Sequence, residues 1–305
     1  AKEDSDFVGI GRQYSRSLAK VENCQVGVFT AYASSKGYAF LDSRLFLPDN
    51  WFSDDYQKQR EKCQVPDSLV FKTKPQLAAE MLTTLRDQIP FSWVLADSSY
   101  GKSPDFLRAV EACKGVIYFV STTPDTLCWL NAPITRKKQY TYRGQLRGKT
   151  VLASPAEKPM TVAELAQSIH GFFWFRQMVS AGTKGPIEYE FTKRRIILAQ
   201  NGLPDRAVWL IMQRTLDSKP ICRYFISNAP LSTPLPSFIW LSGLPWAMEQ
   251  CLEEGKGELR MDQYEDRTYG GWHHHMRITM LAHFFLWRLK SKAGKRSTEY
   301  EAYAA

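Results

Sequence analysis

The chain has 305 residues, room for one large domain or two ordinary ones, and its 44% apolar and 23% charged residues describe a globular protein with a sizeable core. A net charge of +9 and a pI near 9.2 point to an anionic partner, either a phosphate backbone or an anionic membrane. No apolar run reaches the roughly 18 residues of a membrane span, the opening AKEDSDFVG lacks a signal-peptide core, and the six scattered cysteines form no Cys-x-x-Cys pair, which argues against a zinc ribbon and for reduced, buried thiols of a cytosolic protein.

In chain order, residues 24–47 hold two β-rich runs around Ser34-Ser-Lys-Gly37, a hairpin signal. Residues 54–63 are charged and suit a helix. From Lys74 to Ile89 the apolar positions Leu77, Met81, Leu82 and Leu85 fall on one helical face. Phe91 to Asp97 reads as a short buried strand ending in a carboxylate, followed by a Ser/Gly loop. Pro104 opens a helix to Cys113, and Val116–Val120 is another buried strand. The order over 24–120 is therefore β-β-α-β-α-β, a mixed sheet covered by helices. The character then changes. Residues 122–232 read as β-rich, with strands expected at 186–198, 207–213 and 220–226. Helix returns from Pro236 to Leu259 and again from Gly271 to Lys290, before a polar tail over 291–305.

Asp97 is the first candidate for chemistry, because a carboxylate at the tip of a buried strand can face a cleft; capping the following loop is the bland alternative. Glu249 is the second. It shares a helix face with Lys256, two turns away, and sits beside an apolar stripe of Met248, Leu252 and Leu259, so partial burial is expected. A metal ion would satisfy such a carboxylate, and a solvated Glu/Lys face is the alternative. The three histidines 273–275 cannot converge on one metal from a regular helix, since successive residues diverge by about 100°. Trp272 is expected to pack there. Cations interleave with aromatics at Arg136, Lys137, Lys138, Tyr140, Tyr142, Arg143 and Arg147, and cluster again at Lys193, Arg194 and Arg195, which suits a nucleic-acid surface.

Several stretches together resemble bacterial insertion-sequence transposases of the DDE superfamily-endonuclease type. They are Gly11-Arg-Gln-Tyr14 with Val21–Val28, Trp93-Val-Leu-Ala-Asp-Ser-Ser-Tyr-Gly101, Met248–Lys256, Tyr264-Glu-Asp-Arg267 and Gly271-Trp-His-His-His275. The resemblance implies an α/β, ribonuclease H-like mixed sheet flanked by helices and interrupted by a β-rich insertion. The implied boundaries are a core over 1–121, an insertion over 122–232, a helical second part of the core over 233–290 and a tail over 291–305. It also implies two aspartates and a glutamate holding two Mg²⁺ or Mn²⁺ ions. Asp97 matches the second aspartate, and Glu249 matches the glutamate of a Tyr-x2-Arg-x3-Glu-x6-Lys signature ending at Lys256. Ser242 and Pro245 stand where that signature has its Tyr and Arg. The first aspartate is expected on a strand upstream of Ala1, so that the chain is N-terminally truncated; Asp4 and Asp6 lie in a polar loop and are not assigned.

The function implied is metal-dependent DNA cleavage and strand transfer during transposition, in the bacterial cytoplasm near the nucleoid. Double-stranded DNA, both element ends and target, is the expected partner; a homodimer in the DNA complex is one arrangement open to it, and no membrane is involved. Lys256, Arg12 and Arg267 are expected phosphate contacts beside Arg136–Lys138 and Lys193–Arg195. Asp97 and Glu249 are expected within about 8 Å of each other, as two-metal chemistry needs. The competing readings are a catalytically dead, DNA-binding remnant and a related nuclease that cuts without transfer.

Overall fold

The computed structural model of the chain describes residues 7–15, 20–143, 145–154, 156–182 and 185–292; Asp4, Asp6 and most of the expected tail lie outside them. It forms two compact units, one made of residues 1–90, 108–113 and 244–305, the other of 91–107 and 114–243.

The first unit begins with a small antiparallel pair, β1 (Gly11–Ser15) and β2 (Lys20–Cys24). The expected hairpin follows as β3 (Val26–Ser34) and β4 (Gly37–Phe46), with a bulge between Thr30 and Ala31. Two short 3-10 turns lead to α1 (Gln57–Lys62). Next comes α2 (Lys74–Leu85), whose Thr73 and Gln76 form a reciprocal capping box and whose Ala78, Met81, Leu82 and Leu85 are buried. The stretch expected as one helix from Pro236 is two, α6 (Leu235–Gly243) and α7 (Pro245–Gly257). Pro245 is the reason: without an N–H it cannot continue a helix from within, but it fits the first turn of a new one. Only α7 belongs to the first unit, together with α8 (Tyr269–Lys292). The core joins Tyr38, Phe40 and Leu45 of β4 with Trp51, Cys63, Cys251, Trp272 and Met276. Trp51 is 1% exposed, and its indole N–H donates to the Ile10 carbonyl at 2.7 Å, so this buried donor is satisfied.

In the second unit, β5 (Trp93–Ala96) and β6 (Ile117–Thr122) run parallel, linked through α3 (Ser98–Gly101) and α4 (Pro104–Ala112), whose residues from 108 on are counted with the first unit. The β-rich run continues this sheet. Beyond β7 (Leu127–Trp129), a separate hairpin of β8 (Thr135–Tyr142) and β9 (Gln145–Leu152), β10 (Met160–Thr161) and α5 (Val162–Ser168) come β11 (Phe175–Gly182), β12 (Gly185–Gln200), β13 (Leu203–Arg214) and β14 (Cys222–Ser227). The order is β10-β7-β12-β13-β14-β6-β5, with β11 also on β12, and every pairing except β5 with β6 is antiparallel. The expected 121/122 boundary thus falls inside β6. This is the mixed sheet with flanking helices that the sequence leads one to expect.

β12 and β13 turn at Asn201-Gly202, both at positive φ (52° and 75°), the residue pair best suited to a tight hairpin whose twist matches its strands. β13 is buried from Leu210 to Gln213 on both faces, as befits a central strand. Phe119 and Phe225 stack at 4.8 Å, and Phe238 of α6 lies against them at 6.0 Å from Phe119.

Candidate active site and nucleic-acid surface

Asp97 follows the C-terminal end of β5, where a parallel strand pair presents its tips to solvent and ligand sites commonly form. Its Oδ1 accepts from the Ser99 amide at 2.9 Å and the Ser99 hydroxyl at 2.6 Å, and its carbonyl accepts from the Gly101 amide at 3.0 Å. It therefore caps α3, as the bland alternative had it, while remaining half-buried rather than sealed. Gly101 makes this geometry feasible: a Cβ there would lie 2.1 Å from the Ser121 carbonyl oxygen, so only glycine lets α3 sit this close to β6.

The same end of the parallel pair carries residues that the sequence reading passed over. After β6, Thr123 donates its hydroxyl to Asp125, and the Lys102 ammonium at the end of α3 stands 3.4 Å from Asp125. The Thr123 hydrogen bond, more than Lys102, holds the Asp125 carboxyl below its ordinary range. The signal was available: Thr122-Thr-Pro-Asp125 follows the second parallel strand as Asp97 follows the first.

Glu249 lies on α7 in the first unit and is exposed, which corrects the expected partial burial. The buried stripe of α7 is Ala247, Cys251 and Gly255, four residues apart each time and turned about 160° away from Glu249. Small residues occupy it because the packing is close; a Cβ on Gly255 would approach Met261 to 3.2 Å. Lys256 is exposed as well, seven residues from Glu249 and so on its face.

The inward carboxylate of α7 is Glu254, which the sequence reading did not single out. It accepts from the Tyr38 hydroxyl at 2.8 Å and lies 2.8 Å from Nε2 of His283, a residue 3% exposed. Cys251 is buried nearby, and burial pushes its thiol up to about 12, which makes it a poor nucleophile.

The histidine run divides by helix geometry. Trp272 is 2% exposed, as expected. His273 is buried, its Nδ1 2.9 Å from the Tyr269 carbonyl, and burial lowers its pKa; His274 is exposed; His275 stacks near Tyr264 at 5.0 Å.

Of the expected phosphate contacts, Arg12 is exposed on β1, and Arg267 is exposed with its guanidinium 5.5 Å from the Phe7 ring. Arg136, Lys137 and Lys138 are exposed on β8. Lys193, Arg194 and Arg195 are half-buried on β12. Lys193 lies 4.4 Å over Trp209 and donates to the Thr233 carbonyl at 2.6 Å; Arg194 lies 5.0 Å over Phe173; Arg195 donates to the Ala207 carbonyl at 2.9 Å. Together with Phe175 and Leu235 they line an open pocket of about 480 Å³. None of the three forms an ion pair among the described residues.

A mixed α/β sheet flanked by helices, with a carboxylate at the tip of a parallel strand, defines the class: an α/β protein with a candidate site at a strand end. The family model described as DDE superfamily endonuclease matches residues 1–186, more than half of the chain, and the chain belongs to that family. The fold is consistent with the ribonuclease H-like core of such enzymes, whose substrate is DNA. The matched segment contains Asp97 and ends before Glu249 and Lys256. No curated protein matches the chain. Among the described residues no helix is long and apolar enough to cross a membrane.

The family generally uses divalent metal ions. Asp97 fits such use by chemistry, a hard oxygen donor at a strand tip. Among the described residues, however, no three of His, Cys, Asp and Glu are grouped to hold an ion, so a full ligand set is not formed by them.

Proposed function

We propose that the protein is an insertion-element transposase that cleaves and joins DNA, with Asp97 and Glu249 as catalytic carboxylates and metal ligands. The observation that carries this reading is Asp97 at the tip of β5, half-buried, within the segment matched to the endonuclease family. Mg²⁺ or Mn²⁺, two ions in this reading, would supply charge neutralisation at the scissile phosphate and activate the attacking oxygen. In cleavage, water forms a new bond to phosphorus as the bond to the 3′-oxygen breaks; in strand transfer, the freed 3′-hydroxyl bonds to a target phosphorus as that phosphorus loses the 3′-oxygen of the target strand.

The chain's own residues position the DNA. Lys256, on the face of Glu249, holds a phosphate as a point charge, and Arg12 and Arg267 add further contacts. Arg136–Lys138 and Lys193–Arg195 extend the basic surface along the duplex, and a homodimer would hold the two element ends.

The test is Mg²⁺-dependent nicking of DNA bearing the element ends. The wild type is expected to cut, and Asp97→Asn and Glu249→Gln are each expected to lower its rate at least a hundredfold, with the double variant no worse than the poorer single one, since residues acting as a unit are not additive. Full activity in both single variants would refute the assignment. A DNA-binding remnant that does not cut is the second reading. It is favoured by the commitment of Asp97 Oδ1 to two donors of Ser99, a role that needs no metal.

A further inference from the structure

The β8–β9 hairpin differs from every other pair of strands in the second unit. From Thr135 to Leu152 it contains six lysines and arginines and no aspartate or glutamate. Among the described residues its strands pair only with each other, as a two-stranded sheet of its own. Residues 135–140 and 145–150 are exposed throughout.

The register sorts its side chains. Arg136 stands opposite Val151, Lys138 opposite Lys149 and Tyr140 opposite Arg147. Directly opposed residues of an antiparallel pair share a face, and neighbours along a strand alternate. One face therefore bears Arg136, Lys138, Lys149, Arg147 and Tyr140; the other bears Lys137 with Thr135, Gln139, Thr141, Leu146 and Thr150. Four of the cations are on one side of a ribbon one residue thick.

Lys138 and Lys149 are moreover a directly opposed like-charge pair, an arrangement that destabilises a hairpin. Neither they nor Arg136 form an ion pair among the described residues. A two-stranded ribbon standing by itself is marginal in water to begin with. The repulsion is relieved if the face meets a dense array of anions.

The dimensions select the array. Eight residues at about 3.3 Å each give a ribbon about 26 Å long, with strands about 4.8 Å apart. Such a ribbon fits the major groove of B-DNA, about 12 Å wide and bordered on both sides by phosphates. We infer that residues 135–152 form a DNA arm that enters the major groove of the duplex, its Arg136/Lys138/Arg147/Lys149 face neutralised by phosphate, and that it is less stable free than bound. This rests on the reading of DNA as substrate but not on cleavage.

The test uses the whole chain and duplex DNA in EDTA, so that loss of nuclease activity cannot mimic loss of the arm. The variant R136Q/K138Q/R147Q/K149Q is expected to flatten the slope of log affinity against log salt by about 3 to 4, at roughly 0.9 per phosphate contact, whereas Lys137→Gln changes it by less than about 1. Guanine N7 lies in the major groove, and the wild-type chain should protect it from methylation while the quadruple variant should not. Lys149→Gln alone should increase amide hydrogen-exchange protection of the free hairpin while weakening DNA binding, two opposite changes that mere misfolding would not produce. An unchanged salt slope in the quadruple variant, N7 protection that survives it, or reduced protection of the free hairpin in Lys149→Gln would overturn the inference. So would hairpin-dependent binding to anionic vesicles without a hairpin-dependent share of duplex binding.

Discussion

Two strands of the same unit each carry three consecutive cations, Arg136–Lys138 on β8 and Lys193–Arg195 on β12, in different surroundings. The β8 triplet is fully exposed on a strand paired, among the described residues, with β9 alone. The β12 triplet lies in a sixteen-residue strand paired with β13, half-buried, with Lys193 over Trp209 and Arg194 over Phe173. Charge pattern alone does not separate the two; the neighbours do. A cation beside aromatic faces and backbone carbonyls contributes to packing, whereas one with only water around it is available to a partner.

The largest expected effect tests the packing side. Trp209→Ala should destabilise the protein by about 2–3 kcal/mol, less than for a fully buried tryptophan because Trp209 is half-buried, whereas Tyr140→Ala should change stability by less than about 0.5 kcal/mol. Urea unfolding followed by circular dichroism measures both. Equal losses would break the contrast.

Next in size is the effect on DNA. Replacing Arg136, Lys137 and Lys138 together by glutamine should weaken duplex binding tenfold or more at about 0.1 M salt with no loss of stability, the two phosphate contacts of Arg136 and Lys138 being at stake. The same replacement of Lys193, Arg194 and Arg195 should lower the melting temperature as well. Fluorescence anisotropy and a thermal melt on each variant separate the two outcomes.

The smallest effect is a pH dependence. Burial lowers the Lys193 pKa below its usual 10.5. Between the lowered folded value and 10.5, the unfolded chain binds more protons than the folded one, so the Lys193 contribution to stability rises as pH climbs through that window. Below it, the charged amine carries its full burial cost. The stability difference between the wild type and Lys193→Met should therefore shift in favour of the wild type as pH rises towards 10.5. A difference flat in pH would mean that burial of this amine has no thermodynamic consequence.

The carboxylates show how far a candidate site can be read from sequence. Asp97 was legible because a short apolar run ending in Asp, before Ser-Ser-Tyr-Gly, specifies both a strand and its end. Asp125 carries the same signal one strand later and was passed over, because Pro124 and the threonines resemble an ordinary turn. On α7, Glu249 was placed beside Met248, Leu252 and Leu259, yet the helix turns Ala247, Cys251 and Gly255 inward and leaves Glu249 in solvent. A stripe of large residues is the usual sign of a core face, and here close approach favours a stripe of small ones. The burial of Glu254 depends on Tyr38 and His283, which are 216 and 29 positions away, and no local pattern announces them.

The sequence by itself determined the mixed α/β class, the β3–β4 hairpin, the helix at Lys74, the strands expected over 91–97 and 116–120, and the basic character of the chain. Each of these follows from short-range periodicity, turn chemistry or a charge count. Asn201-Gly202 and the Thr161-x-x-Glu164 cap of α5 were equally local, and a reader attending to them would have found β12–β13 and α5 complete. Tertiary structure alone decided which cations stay free of packing, which glutamate of α7 turns inward, and that the β-rich run joins β6 through β14 in one sheet. Those outcomes are set by residues far apart in sequence, because burial, unlike propensity, is a property of what the rest of the chain places nearby.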